Sequence, residues 1–447
     1  MTLNLGGRFD YLNGYSPAQN VPATRYLPAR SYAAVENVPN WKDFTTRLGV
    51  SYDLFGTGKT AVKASLGRYL QAMTTNLAYV TNPISTSVNA ATANWSDANG
   101  DFIPQREELG PLNPATFGQP SIVTRFDPEI TAGTGARGYD WEGAVGVQHE
   151  LRPGLSAGAT YTRHWYRNFS IVQNQAVTNA DFSQYCVTVP VDSRLPGGGG
   201  VEMCGFYDVS PAKFGATQYF VTNAKNFGTQ DDVYDGVEVS ATARLRNGVV
   251  LSGGTNTARQ RTDNCFARER LDLLFVSGAS GQIANAGLGA VATPATIDPR
   301  IDSFCNVVPP FQTQAKLYVV YPLPWGFQGS LAFQSLPGPP ITANRVYTNA
   351  EIAPTLGRNL ASGPNGTAIL NLVPRGVMYG DRLNQVDGRV AKTFSIGRTR
   401  LQAQMDVYNL FNANPVTSVN ARYGANWLQP IYILPGRLLK LGVQMTF

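Results

Sequence analysis

The stretch of the sequence most suggestive of chemistry is a twelve-residue window, 97–108, rich in oxygen-bearing side chains. They stand at positions 1, 3, 5, 9 and 12 of the window, as Asp97, Asn99, Asp101, Gln105 and Glu108. This is the spacing of a calcium-binding loop, in which the backbone carbonyl at position 7 is a further ligand. Position 6 is Phe102 rather than glycine, and Pro104 follows at position 8. The window therefore allows either a loop Ca²⁺ site or a polar turn without metal.

The four cysteines form two pairs that are local in sequence, Cys186 with Cys204 and Cys265 with Cys305. Neither pair has the C-x-x-C spacing of a zinc site or a redox motif. We expect two disulfides that close loops, which indicates an oxidising compartment. The alternative is four free thiols.

The sequence contains no clear arrangement of catalytic residues. The two histidines, His149 and His164, lie in predicted strands of one hairpin, and no paired carboxylates suggest acid–base work. The glycine run 197–200 lacks the lysine and hydroxyl residue of a phosphate-binding loop. The net charge is +6, but the basic residues are scattered. We therefore expect neither an enzyme nor a nucleic-acid-binding protein.

The last twelve residues indicate the kind of secondary structure on which the side chains discussed above must lie. Apolar and polar residues alternate with a period of two, which is typical of a β-strand. The apolar set is Leu439, Leu441, Val443, Met445 and Phe447. The polar or small set is Lys440, Gly442, Gln444 and Thr446. The sequence ends on Phe447, as strands that close outer-membrane barrels often do, so we assign Phe447 to barrel closure.

The same alternation recurs in five predicted hairpins with tight turns, at 45–70, 140–166, 233–258, 311–336 and 383–411. With the first and last strands they give twelve strands. Long segments rich in Pro, Gly, Asn and Ser separate them, at 12–43, 71–138, 169–231, 262–309, 337–381 and 412–435. Aromatic residues recur near the strand ends, as at Tyr139, Trp141, Trp165 and Tyr166.

Charged residues make up only 15% of the chain, and there is no apolar run long enough for a membrane helix. Together these features predict an all-β, antiparallel transmembrane β-barrel segment with short periplasmic turns and long extracellular loops. Eight charged residues are expected to face its lumen: Arg8, Lys63, Glu238, Arg244, Lys316, Asp387, Arg389 and Asp406.

Three stretches resemble the C-terminal part of the barrel in TonB-dependent outer-membrane receptors of the Oar-like branch. The first, Trp41–Leu54 followed by Gly58–Ser65, is similar to a W-x-D-x-x-P-R-x-G-x-x-Y-D hairpin, with Thr46 in place of proline. The second is Trp95–Leu109. The third runs from Arg382 through Asn409-Leu410-Phe411-Asn412 to Phe447 and is similar to the family's last two strands.

The resemblance implies a 22-stranded barrel with an N-terminal plug. Because this sequence has about half those strands, no plug, no recognisable TonB box and no signal peptide, residues 1–447 are expected to be the C-terminal portion of the barrel domain. Its sheet should be open or closed in a different register.

The implied function is energy-coupled uptake of a bulky nutrient, such as a glycan, peptide or chelate, across the outer membrane of a Gram-negative-type bacterium. The implied partners are outer-membrane lipid, TonB, the barrel-assembly machinery and an unidentified extracellular ligand. The alternatives are a passive porin-type channel or surface adhesin on the same barrel, and a soluble all-β protein or barrel hydrolase.

Overall fold

A twelve-stranded antiparallel sheet dominates the computed structural model, which describes residues 1–73, 75–245, 247–274 and 296–447. Its strands are β1 (Thr2–Asn13), β2 (Asn40–Asp53), β3 (Thr60–Leu70), β4 (Tyr139–Arg152), β5 (Leu155–Arg167), β6 (Asp231–Arg244), β7 (Val250–Asp263), β8 (Gln312–Pro322), β9 (Phe327–Leu336), β10 (Leu383–Ile396), β11 (Thr399–Tyr408) and β12 (Leu438–Thr446). The twelve predicted strands are therefore confirmed.

Each strand pairs with its neighbours in the chain, so the sheet is a simple meander. Two short strands, Ala132–Thr134 and Asn306–Val307, add to β2 and β7. Within the described ranges β1 and β12 do not pair with each other. Of the two forms expected from the sequence, the structure has the open sheet.

The five short connections all lie at one end of the sheet. Two of them have only two residues, Pro153-Gly154 and Gly397-Arg398. Gly154 has φ +81°, and a Cβ there would lie 2.3 Å from the Arg244 carbonyl oxygen, so only glycine fits. The third predicted turn begins at Arg246, which lies outside the described residues.

The long connections lie at the opposite end, and we call them the loop layer: 14–39, 71–138, 168–230, 264–311, 337–382 and 409–437, as far as they are described. They are more structured than their composition indicates. The α-helices are Asn76–Thr81, Pro128–Thr131, Asp302–Cys305 and Asn349–Leu356. The small strands are Gln19–Val21, Arg30–Tyr32, Thr124–Phe126, Ser170–Asn174, Phe182–Thr188, Glu202–Val209, Tyr219–Asn223, Leu273–Leu274, Asn344–Thr348, Thr367–Asn371, Val416–Val419 and Pro430–Ile433.

The helix Asn349–Leu356 shows how local sequence builds this layer. Thr348 and Glu351 form a capping box at its start, and Gly357, with φ +78°, ends it. Ile352 and Leu356 are four residues apart, so both lie on the buried face of the helix.

A dry hydrophobic core lies in the loop layer. Its largest cluster joins segments that are distant in sequence: Tyr185, Val187, Val189, Leu195, Phe206, Ile341, Ala343, Tyr347, Ile352, Leu356, Leu360, Ala368, Leu370, Leu372, Val373 and Trp427. Two smaller clusters form around Trp41 with Leu77 and around Phe169 with Leu273. The long segments are thus packed against one another.

Candidate functional site

One face of the large sheet carries an uncharged band that crosses all twelve strands. Directly opposed residues in a sheet share a face, so the register defines this apolar band. Its members are Leu3, Leu5, Leu48, Val50, Val62, Ala64, Leu66, Val145, Val147, Ala157, Ala159, Val237, Val239, Ala241, Gly253, Thr255, Leu317, Val319, Leu331, Phe333, Gly388, Val390, Ala403, Met405, Leu441 and Val443.

The large side chains of the band are exposed rather than packed in a core. Leu441 is 73% exposed and Val443 is 70% exposed. From Leu439 to Met445 the apolar residues of β12 extend over roughly 20 Å, at about 3.4 Å per residue. Phe447 follows β12 and is exposed as well. The odd-numbered residues of the last strand therefore do not lie against a dry protein interior.

The opposite face of the sheet is polar. All eight charged residues predicted to face a lumen lie on it, because each alternates with band residues along its strand. Lys63 donates to Gln148 at 2.8 Å, and Arg389 forms an ion pair with Asp406 on the neighbouring strand.

Among the cavities that indent this polar face, two are large. One, of about 620 Å³, is lined mainly by small and polar residues of β1 to β6, such as Ser51, Thr160 and Ser240. The other, of about 590 Å³, includes Glu238 and Lys316. The sheet thus has one water-compatible face and one apolar face.

The predicted aromatic positions divide between the two faces. Tyr139, Trp141 and Trp165 lie on the apolar face at its loop-layer end, above the apolar band. Tyr166 lies on the polar face, opposite Asp140. His164 is also on the polar face, where its Nδ1 lies 2.7 Å from the Asp140 carboxylate, whereas His149 contacts the Thr60 hydroxyl at 2.8 Å.

The structure brings the five residues of the predicted calcium loop together. A bridge between Trp95 and Leu109 closes the base of the loop. Oxygens of Asp97, Asp101 and Glu108 lie within 4.8 Å of one another. The two amides join them, since the Asn99 side chain donates to Asp101 at 3.1 Å and to Gln105 at 3.0 Å. Phe102 has φ +56°, so the backbone makes a left-handed turn at the position where calcium loops use glycine.

The same carboxylates accept hydrogen bonds from the loop itself. Asp97 accepts from the Gly100 and Phe102 amides at 2.8 and 3.1 Å. The hydrogen bond from the Ile103 amide is the main cause that lowers the pKa of Asp101. Burial raises the pKa of Glu108, but hydrogen bonds led by that from Trp95 leave this pKa lowered. Both carboxylates are therefore charged at neutral pH. This is compatible with a cation site and also with an Asx turn that holds no metal.

The structure joins Cys186 to Cys204 and Cys265 to Cys305, the pairs predicted from the sequence. The first disulfide links the strands Phe182–Thr188 and Glu202–Val209, where their register shifts. Both disulfides lie in the loop layer, and the second joins Cys265 to the end of the helix Asp302–Cys305.

Sequence reasoning missed an ion pair that ties two distant parts of the loop layer. Arg194 donates to Asp192 at 2.7 Å, and the Tyr423 hydroxyl donates to the same carboxylate at 2.9 Å. The Arg194 guanidinium also lies over the Trp427 ring, 5.3 Å from its centre. Hydrogen bonds from Arg194 are the main reason that the pKa of Asp192 lies far below its usual range. No local motif signals this group, because Tyr423 is 231 residues from Asp192.

Comparisons with known proteins gave only weak similarities. No family model and no curated protein matches this sequence. In the described part of the chain, no helix is long and apolar enough to cross a membrane.

Solved structures with a similar fold include the outer membrane transporter YddB from Escherichia coli, with 11% identity and a TM-score of 0.44 over 98% of this chain and 45% of that one. The ferric enterobactin receptor PfeA from Pseudomonas aeruginosa has 13% identity and a TM-score of 0.41, over 99% and 45%. The ferric citrate transporter FecA has 11% identity and a TM-score of 0.41, over 99% and 42%. The chain thus spans less than half of each of these proteins.

Proposed function

We propose that the twelve-stranded sheet lies in the outer membrane of a Gram-negative-type bacterium, as barrel strands of a receptor that takes up a bulky nutrient. The observation that carries this proposal is the apolar band. An uncharged band across one face of all twelve strands, with a polar face on the other side of the sheet, is the arrangement that a lipid bilayer requires of membrane-spanning strands.

A water-soluble sheet would be expected to cover such a face. Hiding a large aliphatic side chain from water is worth about 1.5–3 kcal/mol, and the band contains many of them. Here the loop layer forms its own core at the end of the strands and leaves the band uncovered. Lipid tails would cover the band, so the bilayer gives these side chains the apolar surroundings that the protein does not.

The polar face would line a path for water and solute. The linings of its two large cavities include hydroxyl, amide and charged side chains such as Ser240, Gln148 and Lys316, and neither cavity lies in the loop layer. In a TonB-dependent receptor of the Oar-like branch, passage of a glycan, peptide or chelate along such a wall would be driven by TonB. The free edges of β1 and β12 would need strand partners in the bilayer, and insertion would rely on the barrel-assembly machinery.

Site-directed labelling tests the membrane part of the proposal. All four native cysteines are in disulfides, so a single new cysteine can be labelled with an environment-sensitive dye. In vesicles, dye on Val239→Cys should be quenched by a lipid-borne quencher, and dye on Ser240→Cys by aqueous iodide. Equal quenching at both positions, or failure of the protein to float with vesicles, would refute membrane insertion.

Energy dependence separates the receptor from the passive channel. Cells that produce the protein should accumulate a labelled oligosaccharide, peptide or ferric chelate only while a proton gradient and TonB are present. Flux that continues after a protonophore is added would favour a porin-type channel, and surface binding without uptake would favour an adhesin.

We also propose that the 97–108 loop binds Ca²⁺ on the side of the membrane where the loop layer lies. The clustered oxygens of Asp97, Asp101 and Glu108 favour this role. Calorimetry should detect binding with a Kd of about 0.1–1 mM, the range of extracellular calcium modules. Asp101→Asn, which keeps an acceptor for the Ile103 amide, should abolish it, whereas the exposed Glu107→Gln should not. No heat of binding up to several millimolar, at roughly ten times that range, would leave only the Asx turn.

A further inference from the structure

A group of arginines lies on the apolar face just above the apolar band, at the loop-layer end of the sheet. We call Arg68, Arg163, Arg259 and Arg261 the arginine girdle. Their positions follow from the register: Arg163 on β5 and Arg259 on β7 both stand opposite Asp235 of β6. Arg261 is two residues further along β7 and therefore shares this face. Arg68 on β3 stands opposite Trp141 of β4.

Aromatic rings pack against the guanidinium groups of Arg68, Arg163 and Arg259. Arg68 lies over the Tyr139 ring at 3.8 Å from its centre, and Arg259 lies over Phe311 at 4.4 Å. These contacts leave the planar NH₂ groups available to a ligand, because the ring occupies only the face of a guanidinium. In the lipid, such side chains extend their heads toward the headgroup level while their stems stay on the apolar surface.

The carboxylates in this region neutralise the girdle only in part. Asp235 pairs with Arg163 at 3.1 Å and also accepts from the Tyr161 hydroxyl at 2.6 Å. Closer to the loop layer on the same face, Arg167 pairs with Asp231 at 2.7 Å, and Asp263 stands opposite Asp231. Within the described part of the chain, no carboxylate forms an ion pair with the remaining three girdle members: Arg68, Arg259 and Arg261.

The other end of the same face differs. At the short-turn end the apolar face of the described strands carries Arg152, which stands opposite Leu155, and Lys392. The Lys392 amino group is bonded to the Trp325 carbonyl and lies 4.5 Å from the centre of the Phe327 ring. Of the two levels where a bilayer would place its headgroups, the loop-layer end therefore carries, among the described residues, the larger number of arginines without an ion pair.

From this placement we propose that the arginine girdle binds the phosphate of an anionic membrane lipid in the leaflet that surrounds the loop-layer end. This inference rests on the proposed membrane location. Guanidinium groups bind phosphate through paired N–H donors, and cations near a membrane surface are attracted by anionic lipids. Trp141 and Trp165, which lie between Arg68 and Arg261 along the same row, suit the headgroup level as well.

Lipid titration of the purified full chain tests this. In native mass spectrometry the wild-type protein should bind phosphatidylglycerol far more tightly than phosphatidylcholine with the same acyl chains. The variant Arg68→Gln/Arg259→Gln/Arg261→Gln should bind phosphatidylglycerol about a hundredfold more weakly. The matched control, Arg152→Gln/Arg398→Gln/Arg400→Gln, removes the same charge at the short-turn end and should keep the preference.

Three results would overturn the inference: an unchanged preference in the girdle variant, an equal loss in the control, or displacement of the lipid by millimolar inorganic phosphate. The last would mean that a free anion, not a lipid, is the ligand. Flotation with vesicles is measured in parallel for all three proteins. If they float and the girdle variant still prefers phosphatidylglycerol, this inference alone fails. If none floats, the membrane location itself fails.

Discussion

Leu441 in β12 and Leu370 in the loop layer are the same residue in opposite surroundings. The first is 73% exposed on the apolar band, whereas the second is fully buried in the largest core cluster. Both regions are rich in apolar residues, but only the loop layer folds them inward. Under the proposed membrane location, the comparison corresponds to two different solvents for one chain, lipid around the strands and water around the loop layer.

The difference also explains why the two regions are built differently. In the sheet, hydrogen bonds between neighbouring strands satisfy the backbone, and side chains of the band need no specific partner. In the loop layer, short strands and helices supply fewer such bonds, so disulfides, a dry core and ion pairs hold the segments together. Removing one core side chain should therefore affect one region and not the other.

The largest effect is expected for Leu370→Ala. Truncating a fully buried leucine should lower the free energy of unfolding of the loop layer by about 2–5 kcal/mol. Trp427 belongs to the same cluster, so its fluorescence should report the change during denaturant unfolding. Leu441→Ala is the matched control and should leave this transition unchanged. Equal loss in both variants would show that the band, too, packs against protein.

A charge placed in the apolar band should act on insertion rather than on the loop layer. Val239 lies between Ala159 and Thr255, in the middle of the sheet. Val239→Arg should destabilise the membrane-inserted state by about 2–4 kcal/mol, the value for a charge at the bilayer midplane. Urea unfolding of the vesicle-inserted protein measures this loss of stability. Ser240→Arg, one residue on and facing the cavities, should be tolerated. If Ser240→Arg were instead the more destabilising variant, the face assigned to lipid would have to be the other one.

The strands could be predicted from the sequence because their alternation is local. The apolar residues of each strand, such as Leu439 to Met445 in β12, recur every second position and so indicate one face of a strand, and turn residues such as Pro153-Gly154 mark where the chain reverses. The core of the loop layer could not be predicted in this way. The Tyr347 hydroxyl donates to the Thr188 carbonyl at 3.0 Å across 159 residues, and no periodicity encodes such a contact.

The candidate sites divide along the same line. The 97–108 loop and the two disulfides involve residues close in sequence, so spacing was sufficient to group them. The arginine girdle could also have been predicted from the sequence, although the overall composition does not indicate it. Arg163 and Arg259 occupy the alternate positions that continue the apolar face beyond the band, beside aromatic residues at strand ends. Extending the period of two to the last residue of each strand would have revealed it.

A smaller effect should separate the two regions by pH. The pKa of Asp192 is lowered in the folded loop layer, mainly by Arg194, whereas an unfolded aspartate titrates near 3.9. A lowered folded pKa means that the stabilisation is complete above about pH 4 and is lost as the pH falls toward the folded value. The apolar band contains no titratable group, so insertion of the strands should not follow the same curve.

Acid titration of the protein in vesicles measures this contrast. Protease sensitivity of the loop layer should rise below about pH 4, while the vesicle-protected strands persist. Asp192→Asn should be more sensitive already at pH 7 and should change less on acidification, because the group that titrates has been removed. Glu107→Gln, at an exposed site in the same layer, should follow the wild-type curve. If Asp192→Asn kept the full acid response, other carboxylates would have to control it, and the link between Asp192 and Tyr423 would be dispensable to the layer.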